Sequence, residues 1–298
     1  GLISSTPTSL GKWALLAAQA MDSYGLDSEQ IFLSQGYALE DIKKNNARIP
    51  TALMQQVWQQ ALLLSQDPYL ALRVAKLFTP AAFSSLGLAL TASEQVFDAL
   101  QRGCRYSHLL SNNASVKLIE NEQTLAFAVT SLGRAEPVNF TGLEAIFACM
   151  LMVLRNLAGP GFKPLAVYFK HEFNGDKKPF EVFFNCPIYF SSSANKIEFA
   201  KEQVFKRQAF ANRQLSGQLD QWIEQALSQS RQQCLAPRVR KFITCQLIEG
   251  DIQLPALASY LAMSVHRMRA PVTVNWWMSV ASTWPLNSWR TGATHWLM

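Results

Sequence analysis

The run over residues 140–157, FTGLEAIFACMLMVLRNL, constrains the fold more than any other stretch. It is too long for a strand, and Gly159-Pro160-Gly161 stops it. A helix that is apolar all round is no surface element, so others must wrap it on several sides. A chain of 298 residues, 49% apolar and 16% charged, has the material to do so. That composition excludes a disordered or collagen-like polymer, and the length suits two domains or one large one. No stretch is expected to cross a bilayer. Residues 1–20 lack a basic start followed by a small-residue cleavage site, so no signal peptide is read and the expected location is cytoplasmic. Arg155 lies inside the apolar run, where a charge needs a partner: an effector carboxylate, or a protein carboxylate such as Glu144.

Residues 8–112 read as the wrapping helices. Ser9 is placed to cap a run with Trp13, Leu16, Ala17 and Met21 on one face, closed by Gly25. Asp27 or Ser28 caps a short second helix ending at Gly36. Pro50 opens a long amphipathic helix, and Arg48 before it reads as a structural residue bonding carbonyls or an acid. Asp67-Pro68 opens the next helix, and two more follow near 83–90 and 94–110. The texture then changes. Residues 116–120 and 125–129 read as strands around the turn Asn121-Glu122-Gln123, and 165–169, 182–184, 188–190 and 196–199 as further strands. The fold expected to about residue 205 is therefore α+β, a helical bundle with a small mixed sheet. Residues 205–228 read as a helix whose stripe (Leu215, Leu219, Trp222, Ile223, Ala226, Leu227) packs on its own domain or on a second copy. Polar residues 229–237 read as a linker.

Charge divides the chain. Residues 1–200 hold 16 basic and 16 acidic side chains; residues 201–298 hold 11 and 5, the whole net charge of +6. That is either a neutral sensing body with a polyanion-binding end or uneven surface charge. Cys104, Cys149, Cys186, Cys234 and Cys245 form no paired motif and fit reduced, buried thiols; with His108, His171, His266 and His295 they show no metal-ligand spacing. A nucleophile elbow, a P-loop, a dinucleotide fingerprint and HExxH are all missing, so neither catalysis nor a cofactor is expected.

The basic end carries a pattern. Residues 238–247 read as one helix, 254–262 as a second, and Ser264 caps a third over 265–269 after a tight turn. Small Ala258 and Ala262 allow a close crossing, as in a helix-turn-helix; an ordinary helical hairpin with a basic face has the same spacing. In the first reading Ser264, His266, Arg267 and Arg269 face the groove, while Arg238, Arg240 and Lys241 reach phosphates.

The segment GDIQLPALASYLAMSVHRMR resembles the first helix-turn-helix of the AraC/XylS family of bacterial transcription regulators. The stretches NARIPTALMQQVWQQA, DPYLALRVAKLFTPAAFSSLGLALTASEQVFDAL and VYFKHEFNGDKKPFEVFFNCPIYFSSSANKIEFAKEQV resemble, in order, the effector domain of the branch with an arabinose-binding-type amino terminus. The resemblance covers roughly residues 9–269. It implies a ligand-gated activator or repressor, an effector-binding domain over 1–205, a helix and linker over 206–237, a first helix-turn-helix over 238–269, DNA and a small metabolite as partners, and homodimerisation. His171 falls where the family places a histidine; it is either a pocket contact or a structural residue. Tyr106, His108, Arg155 and Tyr168 complete the candidate effector contacts.

The family's second helix-turn-helix is missing. Residues 270–298 instead hold Trp276, Trp277, Trp284, Trp289 and Trp296, and no acidic residue follows Asp251. Trp and Met each have a single codon, so much of the underlying DNA is fixed. Read one base back from Asn275, with the remaining codons chosen freely among those permitted, it can encode ELVDECRKYMAVELMEDRRYSLAD, an amphipathic, charged helix followed by the start of another, which resembles the family's linker helix. The expectation is a frameshift near codons 269–275. Alternatives are a stand-alone ligand-binding or dimerisation module whose DNA-binding end is non-functional, and a genuine Trp-rich tail for a membrane surface or a partner.

Overall fold

The computed structural model describes residues 8–44, 47–131, 140–208 and 211–225. Its first half runs β1 (Thr8–Leu10), α1 (Gly11–Asp22), α2 (Ser28–Ser34), α3 (Leu39–Lys43), β2 (Arg48–Pro50), α4 (Thr51–Ser65) and α5 (Leu70–Leu77). A 3-10 turn over Pro80–Phe83 leads to α6 (Ser84–Thr91), α7 (Val96–Arg105) and α8 (Ser107–Leu110). Then come β3 (Ala114–Glu120), β4 (Thr124–Ser131), α9 (Phe140–Ala158), β5 (Ala166–Tyr168), α10 (Lys178–Phe184), β6 (Ile188–Tyr189), β7 (Asn195–Ala200) and α11 (Lys201–Val204). A last helix, α12, covers residues 213–225. The α+β reading of the region to about residue 205 holds.

Strand order in the five-stranded sheet is β3-β4-β7-β5-β6. All pairs are antiparallel except β5 with β6, and the crossover that a parallel pair requires holds α10. On β4, Leu125 through Val129 are all buried, so this inner strand is covered on both faces. β1 and β2 form a separate antiparallel pair.

Helix α9 lies against both layers. Phe147, Leu151 and Leu154 on it are wholly buried, Phe147 meets Phe127 and Phe169 of the sheet region, and α5, α6 and α7 pack on it as well. Each such side chain contributes about 1.5–3 kcal/mol by leaving water. With 19 residues and a mean hydropathy of 1.5, α9 is long and apolar enough to cross a membrane, contrary to the sequence expectation; its burial and its two charges, Glu144 and Arg155, are those of a core helix. Gly159, at φ +99°, ends it in a conformation that costs other residues. Gly87 is needed for space, because a Cβ there would stand 1.8 Å from the Pro80 carbonyl oxygen.

Local signals explain most boundaries. Asp27 caps α2 by accepting the Gln30 N–H at 3.0 Å. Arg48 donates to the Leu109 carbonyl at 2.7 Å and the Thr8 carbonyl at 2.9 Å, the structural role expected of it. Further expectations fail, among them the single helix expected near 94–110, which breaks at Tyr106 into α7 and α8. Ser9 belongs to β1, and Leu10, which makes no side-chain cap, precedes α1. Residues 182–184 end a helix: Asp176 accepts the Lys178 N–H, Phe180 and Phe184 are buried four apart, Val182 points outward at 68% exposure, and Asn185 closes α10 in the left-handed region. The helix expected from 205 starts at 213, because the preceding backbone is engaged elsewhere, Gln208 N–H with the Glu94 carbonyl and Asn212 N–H with the Ala92 carbonyl. Residues 229–298, with the linker, the helix-turn-helix and the Trp-rich tail, lie outside the described residues, as do Ala226 and Leu227.

Candidate functional site

Two hollows and one buried pair gather the polar chemistry. The first hollow, about 70 Å³, lies at the start of α4, where Thr51, Gln55 and Trp58 meet Trp13, Asn113 and Gly142. Its lining includes no charged side chain. The Thr51 hydroxyl oxygen is buried without a hydrogen-bond partner, a costly arrangement that a bound polar group would relieve. Gly142 lets α9 pass the Trp58 indole, since a Cβ there would sit 3.1 Å from Nε1. A volume well below the roughly 150 Å³ that accepts benzene admits a small group rather than a whole metabolite. The second hollow is larger, about 450 Å³, and lies between α5 and α10, lined in part by Arg73, Lys76, Pro179 and Val182.

His171 follows β5, and its Nε2 stands 2.8 Å from Glu144 Oε1 on α9. Phe140, Phe169 and Phe190 surround the imidazole, with ring centroids 5.1–5.4 Å away. Glu144 is 3% exposed; burial raises its pKa, and the hydrogen bond and charge of His171 oppose that rise. The pairing of Arg155 with Glu144 read from the sequence is therefore not formed. Arg155 instead donates to three carbonyls, Phe162 at 3.1 Å, Phe183 at 2.9 Å and Phe184 at 3.4 Å.

The other effector candidates are scattered. Tyr106 is fully buried, its hydroxyl 3.4 Å from Asp220 Oδ1. His108 is exposed on α8. Tyr168 stacks on Tyr189 at 5.1 Å under the Lys196 ammonium. None of Tyr106, His108, Arg155, Tyr168 and His171 lines either hollow. Ser264, His266, Arg267, Arg269, Arg238, Arg240 and Lys241, read as DNA contacts, lie outside the described residues. Sequence reasoning missed Thr51, Gln55, Arg73 and Lys76, whose neighbours come from distant segments. It also missed Asp220 on α12, which takes a bidentate bond from Arg102 at 2.8–3.1 Å.

Among the described residues no group of three or more His, Cys, Asp or Glu could hold a metal ion. Cys104, Cys149 and Cys186 are free thiols whose pKa values burial pushes up, to about 12 for Cys104 and Cys186, so they are poor nucleophiles.

No curated protein matches the chain. The crystal structure of the transcriptional regulator CdpR from Pseudomonas aeruginosa is similar in fold, with a TM-score of 0.51 and 14% identity, over 90% of this chain and 82% of that one. The family model of the arabinose-binding domain of AraC transcription regulators, amino-terminal, matches residues 25–204, more than half of the sequence. With its helical layer, its five-stranded mixed sheet and that match, the chain belongs to the AraC transcription regulators that carry an arabinose-binding-type amino-terminal domain.

Proposed function

We propose that the chain is a one-component transcription regulator, not an enzyme, whose domain over residues 1–205 senses a small metabolite. In this reading the basic segment 238–269 is a helix-turn-helix, with Ser264, His266, Arg267 and Arg269 toward the bases and Arg238, Arg240 and Lys241 on phosphates. The protein works as a cytoplasmic homodimer, and ligand acts by shifting the population of arrangements that present this segment to DNA. The observation that carries the reading is the family match over residues 25–204. The Arg102–Asp220 bond supports it by tying α12, which leads toward the basic segment, to the domain that matches.

A second reading is favoured by the Trp-rich, acid-free stretch after Asp251: a ligand-binding or dimerisation module whose DNA-binding end is out of frame and non-functional. One experiment separates the two. Promoter DNA is titrated at increasing salt with this chain and with a version whose residues from 275 onward are encoded one base back. A single helix-turn-helix makes few phosphate contacts, and each lost contact costs affinity steeply at physiological salt. Tight, sequence-specific binding by the re-framed version and weak binding by this chain is the expected result. Tight specific binding by this chain would remove the second reading; non-specific binding by both would remove the first.

A further inference from the structure

We infer that the groove between α5 and α10 binds an amphiphilic anion, a soluble molecule with a carboxylate head and an apolar chain. Its volume, about 450 Å³, falls within the roughly 300–1,000 Å³ of small-molecule sites. One wall carries two cations. Arg73 and Lys76 stand one helical turn apart on α5, and among the described residues neither makes an ion pair. The acids nearby are already engaged. Asp67, which itself lines the groove, accepts from the Tyr24 hydroxyl and from the Tyr69 N–H at 2.8 Å; Asp176 accepts from the Lys178 N–H at 2.9 Å; Glu181 pairs with Lys177. The Arg73 guanidinium lies 4.8 Å over the Tyr24 ring, interacts with the Tyr24 side chain and donates, at 3.4 Å, to the Ser23 carbonyl. It is therefore oriented by an aromatic face without being neutralised, and its remaining N–H groups suit a carboxylate.

The other wall is apolar. Pro179, Val182 and Phe183 line it, and Val182 is 68% exposed. A small polar anion would leave that wall in water, and a neutral hydrocarbon would gain nothing from the cations. A molecule carrying both parts satisfies both walls. This deepens the effector-sensing reading by naming the ligand class, and it rests on that reading only for the ligand's role, not for its binding.

The test titrates the full chain with octanoate and decanoate by calorimetry, with decanol and decyltrimethylammonium as controls. One-to-one binding of decanoate is expected, about tenfold tighter than octanoate because two more methylenes leave water. Arg73→Gln with Lys76→Gln should weaken it at least tenfold, and Val182→Asp comparably. All three positions are exposed, and an unchanged circular dichroism spectrum and unfolding midpoint verify the fold. Decanol or the ammonium binding as well as decanoate, or decanoate binding unchanged in these variants, would overturn the inference. So would retention on phosphatidylglycerol vesicles without binding of free decanoate, which would mark a membrane surface. Decanoate binding that leaves the DNA affinity of the re-framed version untouched would uphold the groove and count against the regulator reading.

Discussion

Two pairs of ionisable side chains join distant parts of this chain, and they sit in opposite surroundings. Arg102 and Asp220 meet near the surface, their side chains 16% and 22% exposed, with the guanidinium also donating to Ser93 Oγ. His171 and Glu144 meet inside a wall of phenylalanines, with the glutamate side chain 4% exposed and one bond between them. When the outer pair opens, water replaces each partner. The inner carboxylate has no such recourse, so losing its partner leaves a charge buried in a low-dielectric interior. Similar contacts thus carry different costs, set by what stands behind them.

The largest effect is expected from His171→Ala, which should lower unfolding free energy in urea by about 3 kcal/mol at neutral pH. Its pH dependence has a defined sign. Burial raises the Glu144 pKa above the ordinary 4.5, so the folded state holds the proton to higher pH than the unfolded one, and stability falls as pH rises through that interval. His171 opposes this, so the deficit of the variant should be small in acid and grow above pH 4.5. A deficit independent of pH would mean that the imidazole acts only by packing.

Asp220→Asn should cost less, about 1–2 kcal/mol, because only part of a hydrated, charge-assisted bond is lost. Limited proteolysis should cut first within residues 213–225; cleavage elsewhere would show that α12 is held by Leu219 and Ile223 alone. Thr51→Val should go the other way and stabilise the unliganded protein by about 1 kcal/mol, as it removes a buried hydroxyl without a partner. The smallest effect is expected at Lys43→Ala, where a fully exposed pair with Glu40 is lost and the unfolding midpoint should not move.

Local chemistry made much of this fold legible. Asp27, Gly25, Gly36 and Gly159 punctuate helices through their own backbone or side-chain geometry, and the run 140–157 is too apolar all round for a surface helix. The strand expected at 182–184 failed because an aromatic, β-branched run looks the same whether it alternates across a sheet or, like Phe180 and Phe184, recurs every fourth residue. The helix from 205 failed because the bonds to Ala92 and Glu94 are made by residues more than a hundred positions away. The site was less legible still. That Arg155 needs a partner follows from its setting; that the partner is three carbonyls does not, since backbone acceptors leave no mark in a sequence. Asp220 lies 118 residues from Arg102, and no spacing rule reaches that far.

The grip of Arg155 has a mechanical meaning. Two of its three carbonyls belong to the final turn of α10, whose Val182 and Phe183 form the outer side of the larger hollow. That side cannot swing away without breaking those bonds or dragging the innermost helix along. A guest wedged beneath Val182 would therefore push on the axle of the domain rather than on its rim.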